Sequence, residues 1–89
     1  MVKCIENIRT VLEKVGGTLD DLVSMTIYFV NRDDLPAIGE TRVKHLSLGV
    51  GKAPVSIFIQ APGLVDPALL VELVPIAVVP HDRFIEPVN

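Results

Sequence analysis

Eighty-nine residues allow one domain, and a net charge of −3 with a pI near 5.2 argues against a phosphate-binding groove. The eight Lys and Arg are scattered, so no nucleic-acid partner is expected. At 49% hydrophobic the chain carries more apolar surface than one small core readily hides, because a domain of this size buries only about 60% of its unfolded surface. Self-association is therefore expected. No run of about 18 apolar residues spans a membrane, and Lys3, Glu6 and Arg9 interrupt anything resembling a secretory signal. Cys4 is alone, which rules out an internal disulfide framework and suits a half-buried helix position. A reduced, cytoplasmic setting is the default expectation.

Residues 2–15 read as a first helix. Ile5, Ile8, Leu12 and Val15 recur at spacings of three and four, with Glu6, Arg9, Glu13 and Lys14 on the wet side. Gly16 and Gly17 supply the left-handed geometry that closes a helix. Thr18 and Asp21 have capping-box spacing, with Asp in place of Glu. The period then changes to two. Val23, Met25, Ile27 and Phe29 are expected to face one way and Ser24, Thr26 and Tyr28 the other, in a strand over residues 22–30.

Residues 31–34 form a polar break in which Asp33 or Asp34 can cap a second helix, with Pro36 tolerated in its first turn. That helix is expected to reach residue 48, with Leu35, Ile38, Val43 and Leu46 inward and Arg42 on its outer face. Gly49, Val50 and Gly51 would end it. A second strand over 53–61 alternates Val55, Ile57 and Ile59 against Ser56, Phe58 and Gln60. After a turn rich in Pro, Gly and Asp, a third strand over 69–79 is apolar on both faces, as a doubly covered strand is. Pro75 assigns it to an edge or a bulge. Residues 80–89 have no period and are expected to form an extended or mobile tail, with Phe84 and Ile85 available to dock on a neighbour. The order α-β-α-β-β makes an α+β domain over residues 1–79, with both helices on one face of a mixed sheet.

Residues 7–30, NIRTVLEKVGGTLDDLVSMTIYFV, together with Asn31-Arg32-Asp33-Asp34-Leu35 and Val71-Glu72-Leu73-Val74-Pro75-Ile76-Ala77, resemble the YjgF-like, or RidA (reactive intermediate deaminase), family, also known as endoribonuclease L-PSP. The resemblance implies a chorismate-mutase-like α+β fold and a homotrimer with small-molecule clefts between subunits. Family members carry a β-hairpin ahead of the first helix. These residues do not include it, so one sheet edge is expected to be open or covered by another chain.

Glu72 is the only charged residue in the third strand. A carboxylate among apolar neighbours is suited to proton transfer near neutral pH, whereas one at an edge simply faces water or a basic group. The resemblance favours the first role, since the family has a glutamate here that orients the water attacking an imine. The family's other determinant is an arginine in a P-x-R motif that grips a substrate carboxylate. The matching triplet is Pro54-Val55-Ser56, so Ser56 stands where that arginine would be. A second cleft residue, often asparagine, falls at Gly39, and Ile57 and Phe58 complete the expected ligand-binding set with Ser56.

Arg42 and Lys52 are possible replacement cations, though an outer helix face and a solvated loop account for them. His45 and His81 have no second ligand at metal-binding spacing, and no metal or cofactor is expected. Asp20-Asp21 and Asp33-Asp34 precede helical turns and are explained by capping. Ser24, Ser47 and Ser56 lack a nucleophile-elbow context. Two readings remain. One is an enamine or imine deaminase with atypical substrate recognition, using Glu72. The other is a non-catalytic trimer that binds a small metabolite or a protein in the same cleft. The acidic charge and the missing His pair count against a ribonuclease.

Overall fold

The computed structural model describes residues 1–46 and 54–86. Its elements in chain order are α1 (Val2–Lys14), β1 (Leu22–Phe29), α2 (Leu35–Leu46), β2 (Val55–Gln60) and β3 (Val71–Ala77), with short 3-10 turns at Leu19–Asp21 and Arg32–Asp34. The expected stop at Gly49, Val50 and Gly51, together with Ser47 and Lys52, lies outside the described residues.

The three strands form one mixed sheet in the order β2-β1-β3, with β2 parallel and β3 antiparallel to β1. Met25, Ile27 and Phe29 project from β1 beneath the helices and meet Ile5 and Leu12 of α1 and Ile38 and Leu46 of α2 in one buried core. Leu35 packs against that core from its edge. Both helices thus cover the same sheet face, as their single apolar stripes require.

α1 ends in a Schellman arrangement. Gly17 N–H donates to the Leu12 carbonyl at 2.7 Å and Gly16 N–H to the Glu13 carbonyl at 3.2 Å. Gly16 takes the left-handed backbone this requires, at φ 79°. Thr18 N–H then donates to Asp21 Oδ2 at 2.8 Å, closing the turn that feeds β1. The β1 alternation holds from Met25 to Phe29 but fails at its start. A register irregularity between Leu22 and Ser24 inserts one extra residue, so Leu22 is buried and Val23 is exposed, the reverse of the simple period.

Three further expectations are corrected. Val43 is exposed, because the inward stripe of α2 runs Ile38–Arg42–Leu46 at intervals of four and Val43 falls beside it. Arg42 consequently lies on the inner side, half-buried, and not on the outer face. β3 is covered on one side only within this chain: Val71, Leu73, Pro75 and Ala77 are half-buried under the helices, while Glu72, Val74, Ile76 and Val78 are exposed.

The tail is not extended into solvent. Residues 80–86 turn back onto the end of α1, where Ile85 N–H donates to the Val15 carbonyl at 2.9 Å. The Arg83 guanidinium reaches the Gly16 carbonyl at 3.2 Å and the Asp21 carboxylate at 2.6 Å. Phe84 and Ile85 nevertheless keep exposed side chains.

Candidate functional site

The strand pairings place each predicted site residue on a definite face, because residues paired across a sheet project to the same side. Glu72 pairs with Tyr28, and Ile57 pairs with Thr26. These four lie on the sheet face that carries no helix. Ser56 pairs with Met25 and Phe58 with Ile27, so both project toward the helices. Ser56 is half-buried and its Oγ is sequestered without a hydrogen-bond partner, while Phe58 at the β2 edge stays 40% exposed. Gly39 is half-buried on α2, and a side chain built there would meet only open space.

The chain therefore separates what the sequence grouped. Glu72 and Ser56 are on opposite faces and on opposite edge strands, with β1 between them. Glu72 is also exposed, so the apolar enclosure expected around it is not supplied by its own chain. Its immediate surroundings are the bare sheet face, built of three rows: Val55–Ser24–Ile76, Ile57–Thr26–Val74 and Ile59–Tyr28–Glu72. Among the described residues Glu72 is the one charged group in these rows. Tyr28 beside it was not singled out from sequence; its place opposite Glu72 follows from the β1–β3 register, which no spacing within one strand reveals.

The two sheet edges differ. Val30 N–H donates to the Leu70 carbonyl at 3.1 Å and Val78 N–H to the Asp21 carbonyl at 2.9 Å. The backbone groups of even-numbered β3 residues thus face β1, and those of Val71, Leu73, Pro75 and Ala77 face outward. Pro75 lacks its N–H where no partner within the chain needs it, which is why a strand that pairs on one side only tolerates proline. Next to it, an apolar groove of about 360 Å³ runs between α1 and β3, past Ile8, Val11 and Leu22. It contains neither Glu72 nor Ser56.

The acidic pairs behave as structural groups, with one difference from expectation. Asp21 joins the turn and Arg83, whose side-chain hydrogen bond, followed by that of Thr18 N–H, holds its carboxyl below the usual carboxylate range. Asp34 makes no side-chain capping bond, and its Oδ2 is sequestered without a partner. Among the described residues no cluster of His, Cys, Asp and Glu could hold a metal ion, and no helix is long and apolar enough to cross a membrane.

Comparison with known proteins agrees with this architecture. The family model described as Endoribonuclease L-PSP matches residues 1–79. The chain is similar to a member of the YjgF/YER057c/UK114 family from Mycobacterium tuberculosis, at 28% identity and a TM-score of 0.77 over 84% of this chain and 61% of that one. It is also similar to a protein of unknown function from Pseudomonas aeruginosa, at 33% identity and a TM-score of 0.74, covering 82% and 51%. A Rid-family protein of unknown function from Yersinia pestis matches at 27% identity and a TM-score of 0.75, covering 84% and 57%. The chain spans less than two thirds of the length of each. With the family model matched over nearly all of the chain and the same α+β architecture in these structures, the chain belongs to the YjgF, or endoribonuclease L-PSP, family.

Proposed function

We propose that the chain is an enamine or imine deaminase whose site forms between copies of itself, most simply in a homotrimer, with Glu72 from one copy meeting Ser56, Ile57 and Phe58 near the β2 edge of the next. The carrying observation is the position of Glu72: a lone carboxylate on a sheet face otherwise made of Val55, Ile57, Ile59, Val74 and Ile76 with three small or aromatic polar residues. A face this apolar favours being covered. Once it is covered, the carboxylate faces a bound substrate away from bulk water, within reach of the atoms whose protons it is to move. Because Ser56 and Glu72 occupy opposite faces of one sheet, a site using both has to be shared between chains.

The chemistry asked of Glu72 is modest. A water molecule adds to the carbon of the C=N bond while the carboxylate takes one of its protons and passes it to nitrogen, giving a carbinolamine. The carboxylate then takes the hydroxyl proton as the C=O bond forms and delivers it to nitrogen as the C–N bond breaks. The imine and water leave as a carbonyl compound and ammonia, and Glu72 ends as it began. Ser56 offers a hydroxyl but no charge to the substrate. That neutrality favours the second reading, a member that binds a small metabolite without turning it over.

Ammonia release from freshly generated 2-aminoacrylate tests the proposal. The expected result is a rate above buffer that Glu72→Ala abolishes. A rate equal to buffer, or one indifferent to Glu72→Ala, overturns the deaminase reading. Complementation tests the shared site. Glu72→Ala and Ser56→Trp chains, each inactive alone, should recover activity when refolded together, with about a quarter of the sites carrying both native residues under random assembly.

A further inference from the structure

The tail leaves two large apolar side chains outside the fold. Ile85 N–H is fixed to the Val15 carbonyl at 2.9 Å and Arg83 to Asp21 at 2.6 Å. Phe84 and Ile85 nevertheless stay 49% and 56% exposed. These contacts hold apolar surface in water, which is unfavourable unless something covers it. Next to the same junction lies the groove of about 360 Å³ between α1 and β3, whose walls include Ile8, Val11, Leu22 and Pro75. Among the described residues Asn7 is its one polar lining residue, and Val11 on its rim is 62% exposed.

The tail and the groove adjoin. Leu12 lines the groove and its carbonyl accepts from Gly17 N–H at 2.7 Å, while the carbonyl of Val15, three residues on, accepts from the tail. Leu22, also in the groove, directly follows Asp21, which Arg83 holds. An apolar donor and an apolar receiver side by side on one surface are what a reciprocal two-fold contact requires. Their charges are complementary as well. Lys3, Asn7, Val11 and Lys14 recur at intervals of four, four and three, so they share one stripe of α1, and the groove's rim carries an exposed lysine toward either end. On the tail, exposed Asp82 and Glu86 flank Phe84 and Ile85, and Arg83 between them is turned to Asp21. The lysines are spaced about 16 Å along the helix axis, and the two acids reach at most about 14 Å along the chain, so long side chains can match them.

We infer that the groove between α1 and β3 receives Phe84 and Ile85 from the tail of a second copy, in a reciprocal contact that Lys3 and Lys14 steer onto Asp82 and Glu86. The apolar side chains supply the attraction. The rim charges are exposed, so they set orientation and add little affinity. Two apolar side chains per tail place the contact at the low end of interface sizes, under about 1,200 Å². It therefore forms at high concentration and comes apart in dilute solution. It uses neither Glu72 nor the bare sheet face and stands independently of the deaminase reading.

Paramagnetic relaxation between copies tests the contact. Full chains carrying Cys4→Ser and a nitroxide attached through Asn89→Cys are mixed with isotope-labelled native chains, so that only approaches between copies broaden the observed amides. Broadening is expected at Asn7, Ile8, Val11 and Ala77, rising with concentration. Phe84→Ser in the nitroxide chain removes an exposed side chain, so the melting temperature should be unchanged while the contact weakens about tenfold. Lys3→Glu with Lys14→Glu in the observed chain should weaken it several-fold, and Asp82→Lys with Glu86→Lys in the nitroxide chain should restore it. No broadening, broadening confined to the bare sheet face, or groove broadening that Phe84→Ser leaves unchanged would remove the tail as the groove's occupant. Charge reversals without effect in either chain would overturn the pairing of the lysines with Asp82 and Glu86.

Discussion

Arg83 and Asp21, 62 residues apart, are joined by two hydrogen bonds, Nη2 to Oδ1 at 2.6 Å and Nη1 to Oδ2 at 3.2 Å. Nη1 also reaches the Gly16 carbonyl at 3.2 Å, so one guanidinium ties the tail to the end of α1 and to the turn that starts β1. Residues beyond 79 lie outside the span matched by the family model, and this chain uses them as a strap across its helix-to-strand junction.

The strap should weaken in acid. Arg83 and Thr18 hold the Asp21 carboxyl below its usual value of 3.8. A depressed folded-state pKa contributes stability that is fully present above the unfolded value and is lost as pH falls through the folded one. Asp21→Asn should therefore lower the melting temperature by a constant amount between pH 7 and pH 5, and the gap to the wild type should close below about pH 4. The effect should be modest and reduced by salt, since the Arg83 side chain is 42% exposed. A gap that persists unchanged at pH 2 would show that the carboxylate is not what Arg83 holds.

Gly16→Ala is predicted to act through the tail as much as through its own backbone. The left-handed φ of 79° alone costs an alanine about 1 kcal/mol. An added methyl would also stand 1.8 Å from the Arg83 carbonyl oxygen, which forces the strap away. Urea unfolding should show a larger loss in the full chain than in one ending at Val79, where only the backbone cost of about 1 kcal/mol remains. Equal losses in both would mean that the tail contact contributes nothing.

What could be read from the sequence was what local period and turn chemistry encode: the α1 stripe, the Gly16-Gly17 stop, the core triad Met25, Ile27 and Phe29, and the edge position of β3 marked by Pro75. Each miss depended on a partner distant in the chain. Val23 turns outward because of a bulge defined against Ala77 and Ile76. Arg42 read as an outer residue because charge outweighed its spacing of four from Ile38 and Leu46. The tail read as mobile because its anchor, Asp21, lies 62 residues away from Arg83. Glu72 and Ser56 were grouped by resemblance, and only strand register shows that one chain holds them apart.

Pro75→Val restores an N–H on the outward edge of β3, next to the outward groups of Leu73 and Ala77. Within the chain nothing needs that donor, so the fold should be retained. The edge, however, gains an uninterrupted ladder, and uninterrupted apolar edges pair with other chains. Light scattering should detect larger species at lower concentration than for the wild type. A variant that remains as well dispersed as the wild type would show that Pro75 does not guard the edge.

The bare sheet face offers the sharpest test of assembly. Thr26 lies at its centre, flanked by Ile57 on β2 and Val74 on β3. In an isolated chain a lysine there can extend its ammonium into water, so Thr26→Lys should leave far-UV circular dichroism unchanged. In an assembly packed through this face the same ammonium would be buried between apolar neighbours with no partner, at a cost of several kcal/mol. Sedimentation velocity should then show a shift from oligomer to monomer, and any ammonia-releasing activity should disappear with it. Val65→Lys is the matched control, because Val65 is 93% exposed and lies in the connection between β2 and β3, outside the face. An unaltered sedimentation coefficient for Thr26→Lys would place the association surface elsewhere and remove the shared site that joins Glu72 to Ser56.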